Sequence, residues 1–506
     1  AWNLLSRLTG LARVLILGGA LGATRLGDTY QGSNQLSNVL FEVLVAGTLS
    51  AVIVPGLVTR LTQRDVADAR AFAGLVLGRV LLAIVPIVAL GLLFAEPLIR
   101  LVFIGNDGPT RDAQVRLGVF LLFFVLPQLA LYAWGALVAA MLHAAGRFAA
   151  AAIAPVANNL VVIAGLGLFW ARGYDGLGLS LVDKWLLGST ALGGVLAMTL
   201  VPAFAAWRAG LSVVPRLGGR GESAGIGSDV AWASLVVLPA QVVALASIVV
   251  ASRSSGGVAA YQIGFMFFLL PHALVGHPTA TVLYPRLAAA WSAGDRATVR
   301  LLGESGLEVV GAVLFFAAAC AAALAPWLVQ AIALGQLDRE AGSALTATAL
   351  AWLAVGLPAY AATLLLTRVA YAASDLRLPA RAALVGALAA GAVLVMAGAA
   401  DGDRRTVALV SAAHSVMVVV TAAYLLVGSV GAGVLSAPLA RLARYAAMAA
   451  IAGGAARLVA HSLPDSGGRF AAIGVVVTGG AVAVVTYVVG LVASGQRSVP
   501  RLVTQQ

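Results

Sequence analysis

Charge is what this sequence has least of. Only 10% of its 506 residues are charged, 32 basic and 20 acidic, where soluble domains carry roughly 25%. A soluble fold is thereby excluded. Cysteine is nearly absent as well: Cys320 is the one example and lies in an apolar run, which excludes disulfides and cysteine metal clusters. Lysine is reduced to Lys184, the other basic residues all being arginine. The alternation of an outer-membrane strand is also missing. Stretches such as 117–125 are continuously apolar, which excludes a membrane barrel. No Ser-His-Asp set, acid pair, phosphate loop or metal-ligand spacing can be traced, so neither an active site nor a cofactor or metal is expected.

What the chain has is apolar length. Apolar residues make up 61% of it, and ten charge-free runs reach at least 19 residues, among them 117–146, 254–285 and 309–337. About 20 such residues cross a bilayer as a helix. The fold class is therefore an all-α polytopic membrane protein. Cutting at charged or Gly/Pro-rich breaks gives about fourteen spans, centred near residues 13, 45, 84, 129, 160, 198, 241, 271, 318, 357, 391, 416, 449 and 482. With an even number of spans both termini share one side. That side carries 18 of the basic residues and the other 12, Lys184 among them, with Arg13 and Arg79 inside the membrane, which favours cytoplasmic termini. The net charge of +12 reads as loop arginines facing anionic lipid, making membrane lipids partners and nucleic acid none. The start at Ala1, without Met or a cleavable signal pattern, reads as a chain trimmed close to its first span.

The sequence repeats at an offset of about 230 residues. Tyr30-Gln31, Gly47 and Val54-Pro55-Gly56-Leu57 answer to Tyr261-Gln262, Gly276 and Tyr284-Pro285-Arg286-Leu287, and Leu126-Pro127 answers to Leu357-Pro358. Six spans separate the copies, so both share one orientation. Two parallel six-helix lobes (1–215 and 225–430) and a C-terminal helix pair (437–496) follow, a transporter plan with its site between repeats.

Polar residues inside the spans are the candidates for function. The first span holds Arg7 and Arg13, and an ionised residue as deep as Arg13 is expected to face a cavity or partner. Ser6, Thr9 and Arg13 share a face at i, i+3 and i+7. On the second span Gln31, Asn34, Gln35, Asn38 and Glu42 form one polar stripe, expected to line a water-filled cavity, with amide-bonded helix packing as the alternative. Arg13 and Glu42 would make a buried pair, which Arg79 of the third span could join. Glu308 is the clearest intramembrane acid of the second half, His272 and His277 flank a Pro271/Pro278 kink, and Asn158 and Asn159 are expected to satisfy backbone freed at Pro155.

Ser6-Arg7-x-x-Gly10-x-x-Arg13, Gly27-Asp28, Asn38, Ala46-Gly47-Thr48-Leu49-Ser50 with Val54-Pro55, and Arg147-Phe148 leading to Ala154-Pro155 and Asn158 together resemble the MurJ (MviN) family. These are lipid II flippases of peptidoglycan synthesis within the multidrug/oligosaccharidyl-lipid/polysaccharide exporter superfamily. The resemblance runs over almost the whole chain. It implies fourteen helices, Arg7 and Arg13 as diphosphate-binding cavity arginines, and a groove for the polyprenyl tail on the last two helices. It further implies a bacterial inner-membrane location, a monomer and a cytoplasmic regulatory partner. The substrate site expected on this basis comprises Arg7, Arg13, Asp28, Gln31, Asn34, Asn38, Glu42, Arg79 and Arg253. The pattern departs from the family at Phe41-Glu42 and at Gln262-Ile263-Gly264, where basic residues are usual, so Arg253 or Arg79 is left to supply the third cationic contact. The family's sodium site is not expected, because 230–252 and 382–400 contain no acid.

The expected activity is transfer of lipid II from the cytoplasmic to the outer leaflet by alternating access. The alternatives are a flippase for another polyprenyl-diphosphate glycan and a cation-coupled drug antiporter, which would want cavity acids instead of arginines. A membrane-embedded transferase would need catalytic acids or histidine that the chain lacks.

Overall fold

Proline, glycine and charge punctuate the sequence, and helices stop where they fall. The computed structural model describes residues 2–43, 57, 59–61, 65–174, 176–217, 227–431, 433–435, 439–463 and 468–494. Several expectations lie outside these residues: the motif at 46–50 with Val54-Pro55, the span centre near 45, and Arg64, Arg220, Arg497 and Arg501.

The helices in the first part of the chain are α1 (Trp2–Ala20), α2 (Arg25–Phe41), α3 (Val66–Leu93), the short α4 (Ala95–Val102), α5 (Gly108–Val125), α6 (Gln128–Ala144), α7 (Ala149–Ala171), α8 (Leu181–Arg208) and α9 (Gly227–Ala251). Then come α10 (Gly257–Pro271), a π turn (His272–Gly276), α11 (His277–Ser292), α12 (Arg296–Ile332), α13 (Glu340–Val355), α14 (Leu357–Ala372), α15 (Arg377–Gly398), α16 (Asp403–Gly431), α17 (Leu439–Ser462) and α18 (Arg469–Ala493).

Nine spans among the described residues are long and apolar enough to cross a membrane, with α5–α6 and α10–α11 each counted as one, or ten if α13 and α14, bent 45° at Gly356, are a further one. This makes the protein an all-α, multi-pass membrane protein. The length and apolarity of the described helices thus support fewer spans than the expected fourteen. α1, α2 and α17 hold the arginines and amides that lower their mean apolarity. α3 and α18 are the spans least covered by other helices, with 17% and 22% of the spanning window buried.

The repeat is visible in the backbone. The α5–α6 break at Leu126-Pro127 answers to the α13–α14 break at Leu357-Pro358, each at a proline whose nitrogen carries no hydrogen for the helix ladder. Residues 42 and 43 at the end of α2 turn in π fashion, as do His272–Gly276 some 230 residues on.

The chain forms two compact units. The first holds Ala1–Val258 with Leu334–Leu337, and the second Ala259–Ala333 with Asp338–Gln506. In the first unit Leu77, Leu137, Met141, Leu211 and Val213 make one buried cluster. The segment 211–217 crosses α3 closely: the Arg216 amide donates to the Gly74 carbonyl at 2.9 Å, and a Cβ at Gly78 would lie 2.0 Å from the Arg216 carbonyl oxygen. Only glycine permits that approach. In the second unit α17 and α18 pack on α12 through Ala449, Ala452, Ala456 and Ala483 against Leu324, small residues that bring helices together where lipid is as apolar as leucine. Polar ties run along the same seam: Arg441 to Glu304 and Glu308, Tyr487 Oη to Ala312 O, Arg457 to Ala323 O and Arg469 to Ala333 O.

Candidate substrate site

The first unit carries the candidate site. α1 places Arg7 and Arg13 in half-buried positions, and Arg13 Nε is buried without a hydrogen-bond partner. Tyr30 of α2 and Tyr132 of α6 lie within electrostatic reach of the Arg13 guanidinium. Tyr132 also stacks at a tilt on Phe41, with ring centroids 5.1 Å apart. An aromatic wall thus borders an arginine held inside the fold.

The stripe on α2 grades from closed to open. Gln31 is buried with Nε2 unpartnered, Asn34 is half-buried and donates to the Tyr30 carbonyl at 2.9 Å, Asn38 is exposed, and Glu42 is half-buried. Two donors, on Arg13 and Gln31, are therefore buried in this unit without acceptors, an arrangement that suits an anion.

At its N-terminus α2 is fixed by a network. The cap Thr24 accepts from the Gly27 amide at 3.2 Å. Arg25 donates to Asn106 Oδ1 and to the Ser252 carbonyl, each at 2.8 Å. Asn106 donates to Gln114 Oε1 at 2.8 Å, and Gln114 donates to Thr29 Oγ1 at 3.3 Å. Asp28 is fully buried and accepts from the Gly256 amide at 2.8 Å.

Several expectations change against this geometry. Ser6 and Thr9 are committed to α7: Asn159 Nδ2 donates to Ser6 O at 3.3 Å and to Thr9 Oγ1 at 3.1 Å. Asn159 therefore bridges two helices, and Asn158 reaches Met198 Sδ at 4.0 Å. Neither serves the carbonyls near Pro155, which stays inside an unbroken α7. No ion pair joins Arg13 to Glu42 among the described residues. Glu308 is paired with Arg441. Arg79 and Arg253 are both exposed, and the Arg253 stem packs against Gly105, where a Cβ would meet it at 2.1 Å. Sequence reasoning passed over Tyr30, Tyr132 and the Arg25 network. Their signal was polar residues, Asn106 and Gln114, bordering an apolar run.

A bundle of apolar helices of this length, with arginine and amide side chains set inside the first unit, defines a multi-pass α-helical membrane protein. The chain belongs to the MurJ family: the family model described as lipid II flippase MurJ matches residues 17–478. It is 28% identical over 326 residues to a probable lipid II flippase MurJ of Rhizobium meliloti, covering 63% of this chain and 58% of that protein. The chain thus spans under two thirds of that relative's length. Among solved structures it is similar to a lipid II flippase MurJ in an inward closed conformation, with TM-score 0.77 and 17% identity, over 98% of this chain and 99% of that one. An inward-facing multidrug resistance MATE family transporter of the MOP superfamily shares the fold at TM-score 0.66 and 15% identity, over 84% and 95% of the two chains.

Proposed function

We propose that this protein is a transporter, not an enzyme, that moves the polyprenyl-diphosphate-linked peptidoglycan precursor, lipid II, from the cytoplasmic to the outer leaflet by alternating access. The observation that carries the reading is Arg13, a permanently charged group inside the fold with a buried donor left unmatched. Guanidinium suits a diphosphate because it stays charged and bonds oxygen pairs bidentately. On this reading Arg7 and Arg13 take the diphosphate and Gln31, Asn34 and Asn38 the sugar-peptide part, while the apolar tail stays in lipid beside α17 and α18. Asp28 holds the N-terminus of α2 in place. Glu42, Arg79 and Arg253 complete the proposed set, with the two arginines as alternatives for a third cation. The same reading gives two six-helix lobes at 1–215 and 225–430 with a helix pair at 437–496. It also gives an inner-membrane monomer with both termini cytoplasmic, and a regulatory partner on that side.

A drug-cation antiporter is disfavoured by the same arginines. The deciding experiment is conditional depletion of the protein followed by assay of each leaflet. Lipid II accumulating on the cytoplasmic leaflet supports the proposal; accumulation of a different polyprenyl-linked glycan replaces it.

A further inference from the structure

Near the middle of α16 the side chain of His414 is 8% exposed, and its Nε2 has no hydrogen-bond partner. Rings hold it instead. Phe265 and Phe268 of α10 meet the imidazole edge-on at 5.0 and 5.6 Å, and Tyr360 of α14 lies at 5.9 Å. Tyr360 in turn packs edge-on against His272, the first residue of the π turn, at 4.7 Å. All of these residues belong to the second unit. One turn before His414, Ser411 Oγ is also buried and unmatched. Roughly nine in ten buried polar atoms are satisfied, so two on one helix face call for a ligand.

The chemistry narrows what that ligand is. A metal ion needs several converging ligands, and no group of three His, Cys, Asp or Glu side chains comes together among the described residues. Histidine is the side chain that ordinarily changes charge between about pH 5 and 8. The surroundings of His414 thus leave an open ring nitrogen inside a box of aromatic rings.

The backbone around it is irregular at bilayer depth. Ser415, next in the chain, donates to the Trp352 carbonyl at 2.7 Å and accepts from the Gly356 amide at 3.1 Å. It thereby satisfies backbone groups at the 45° break between α13 and α14. The π turn at His272–Gly276 is a second irregularity, and both kinds of break gather at functional sites in membrane helices. A displacement of His414 cannot leave the Ser415 bridge untouched.

We propose that His414, boxed with Tyr360 and His272, is a proton-binding site, and that proton entry loosens the Ser415 bridge and shifts the α13–α14 break. The step is balanced simply: the Nε2 lone pair takes a proton from a hydronium ion, leaving water, and returns it to water as hydronium. The titratable groups around it are Tyr360 from α14 and His272 from the π turn; α10 brings Phe265 and Phe268, with Tyr261 stacked on Phe265 one turn earlier. Charged residues of the packed helices lie farther along them: Arg368 on α14 is eight residues from Tyr360, about 12 Å at 1.5 Å per residue. Glu340 is 12 residues from Trp352 on α13, about 18 Å at 1.5 Å per residue. Arg381 on α15 precedes Ala382, which is level with Thr421, about 10 Å beyond His414. Asp403, Arg404 and Arg405 start α16, at least nine residues away. A proton on His414 has no carboxylate to answer it in the closed box, so it favours a conformer in which the box admits water. What that shift serves rests on the transport reading above.

The test uses the full chain in lipid nanodiscs. Hydrogen exchange over 352–358, corrected for its intrinsic pH dependence, is followed from about pH 8 to about pH 4.5. Wild type is expected to lose protection severalfold on acidification. His414→Phe, which keeps a ring in the box but takes no proton, is expected to stay flat, and its exchange elsewhere reports whether it is folded; His414→Gln is the second variant. A flat wild-type response, or the same response in both variants, overturns the site. In proteoliposomes with the potential clamped, an imposed pH gradient is then expected to change flipping of a polyprenyl-diphosphate glycolipid in wild type and not in His414→Phe. Flipping that ignores the gradient in wild type overturns the coupling. Acid-dependent exchange with no flipping of any such lipid upholds the proton site and counts against the transport reading.

Discussion

The carboxylate of Asp28 accepts a hydrogen bond from the backbone amide of Gly256 at 2.8 Å, across 228 residues of chain. Gly256 sits at φ +78°, and a Cβ there would lie 2.0 Å from the Ala23 carbonyl oxygen. The two residues tie the start of α2 to the turn that follows α9, within the first unit. Asp28→Ala leaves that buried amide unsatisfied, at a cost of about 1–3 kcal/mol. Asp28→Asn keeps an acceptor and is expected to cost less, while Gly256→Ala is destabilising through the clash. Thermal unfolding of the purified variants checks the order, and an unchanged midpoint for Asp28→Ala refutes it.

Arg13→Ala is expected to abolish complementation of a depleted strain while the protein still folds and inserts, because Arg13 Nε leaves no bonded partner behind. Arg13→Lys should rescue partly, since a point charge lacks the bidentate fork. Normal growth on Arg13→Ala alone removes Arg13 from the site.

How much of this was legible beforehand differs from residue to residue. Scarcity of charge gave the membrane class, and Pro127 and Pro358 marked the two equivalent breaks, because proline constrains the backbone locally wherever it stands. Spacing on α2 placed Gln31, Asn34 and Asn38 on one stripe but could not say that Gln31 is buried and Asn38 exposed, since that depends on neighbouring helices. For the same reason Asn159 was read as serving its own helix, when its amide reaches Ser6 and Thr9 about 150 residues away. Tyr30, a marker of the repeat, and Tyr132 carry no signal of a site in the sequence, because each is ordinary in its own span. Only the fold brings them to Arg13.

Arg441 binds both Glu304 and Glu308, and the Glu308 side chain is 10% exposed while that of Arg441 is 47% exposed. Arg441→Ala strands a nearly buried carboxylate. Removing one partner of a buried pair costs about 3–5 kcal/mol; with Arg441 half in solvent the pair itself is screened, and the cost expected is that of the stranded carboxylate, about 1–3 kcal/mol. Glu308→Gln in the Arg441→Ala background should recover part of the loss. Hydrogen exchange at the start of α17 reads it, and a double variant no better than the single refutes a charge-based tie.

The arginine distribution predicts that Arg216 and Arg296 face the cytoplasm, together with both termini and the loop at Arg64. Single cysteines introduced at 216 and 296, in a chain with Cys320 replaced, should resist a membrane-impermeant thiol reagent in intact cells and react after permeabilisation. Labelling of residue 216 from outside reverses the topology.

The last prediction concerns the driving force. Moving one elementary charge across the membrane is worth about 2.3 kcal/mol per 100 mV, and an anionic headgroup leaving a negative interior is helped by that potential. The spans at 230–252 and 382–400 contain no acid with which to hold sodium. Flipping should therefore fall when the potential is collapsed with the sodium gradient intact, and persist when sodium is removed with the potential held. A proton on His414 adds a pH-gradient dependence to this and leaves the sodium arm unchanged. Loss of flipping on sodium removal alone overturns the prediction and moves the search for coupling to the remaining membrane acids, Glu42 and Glu308.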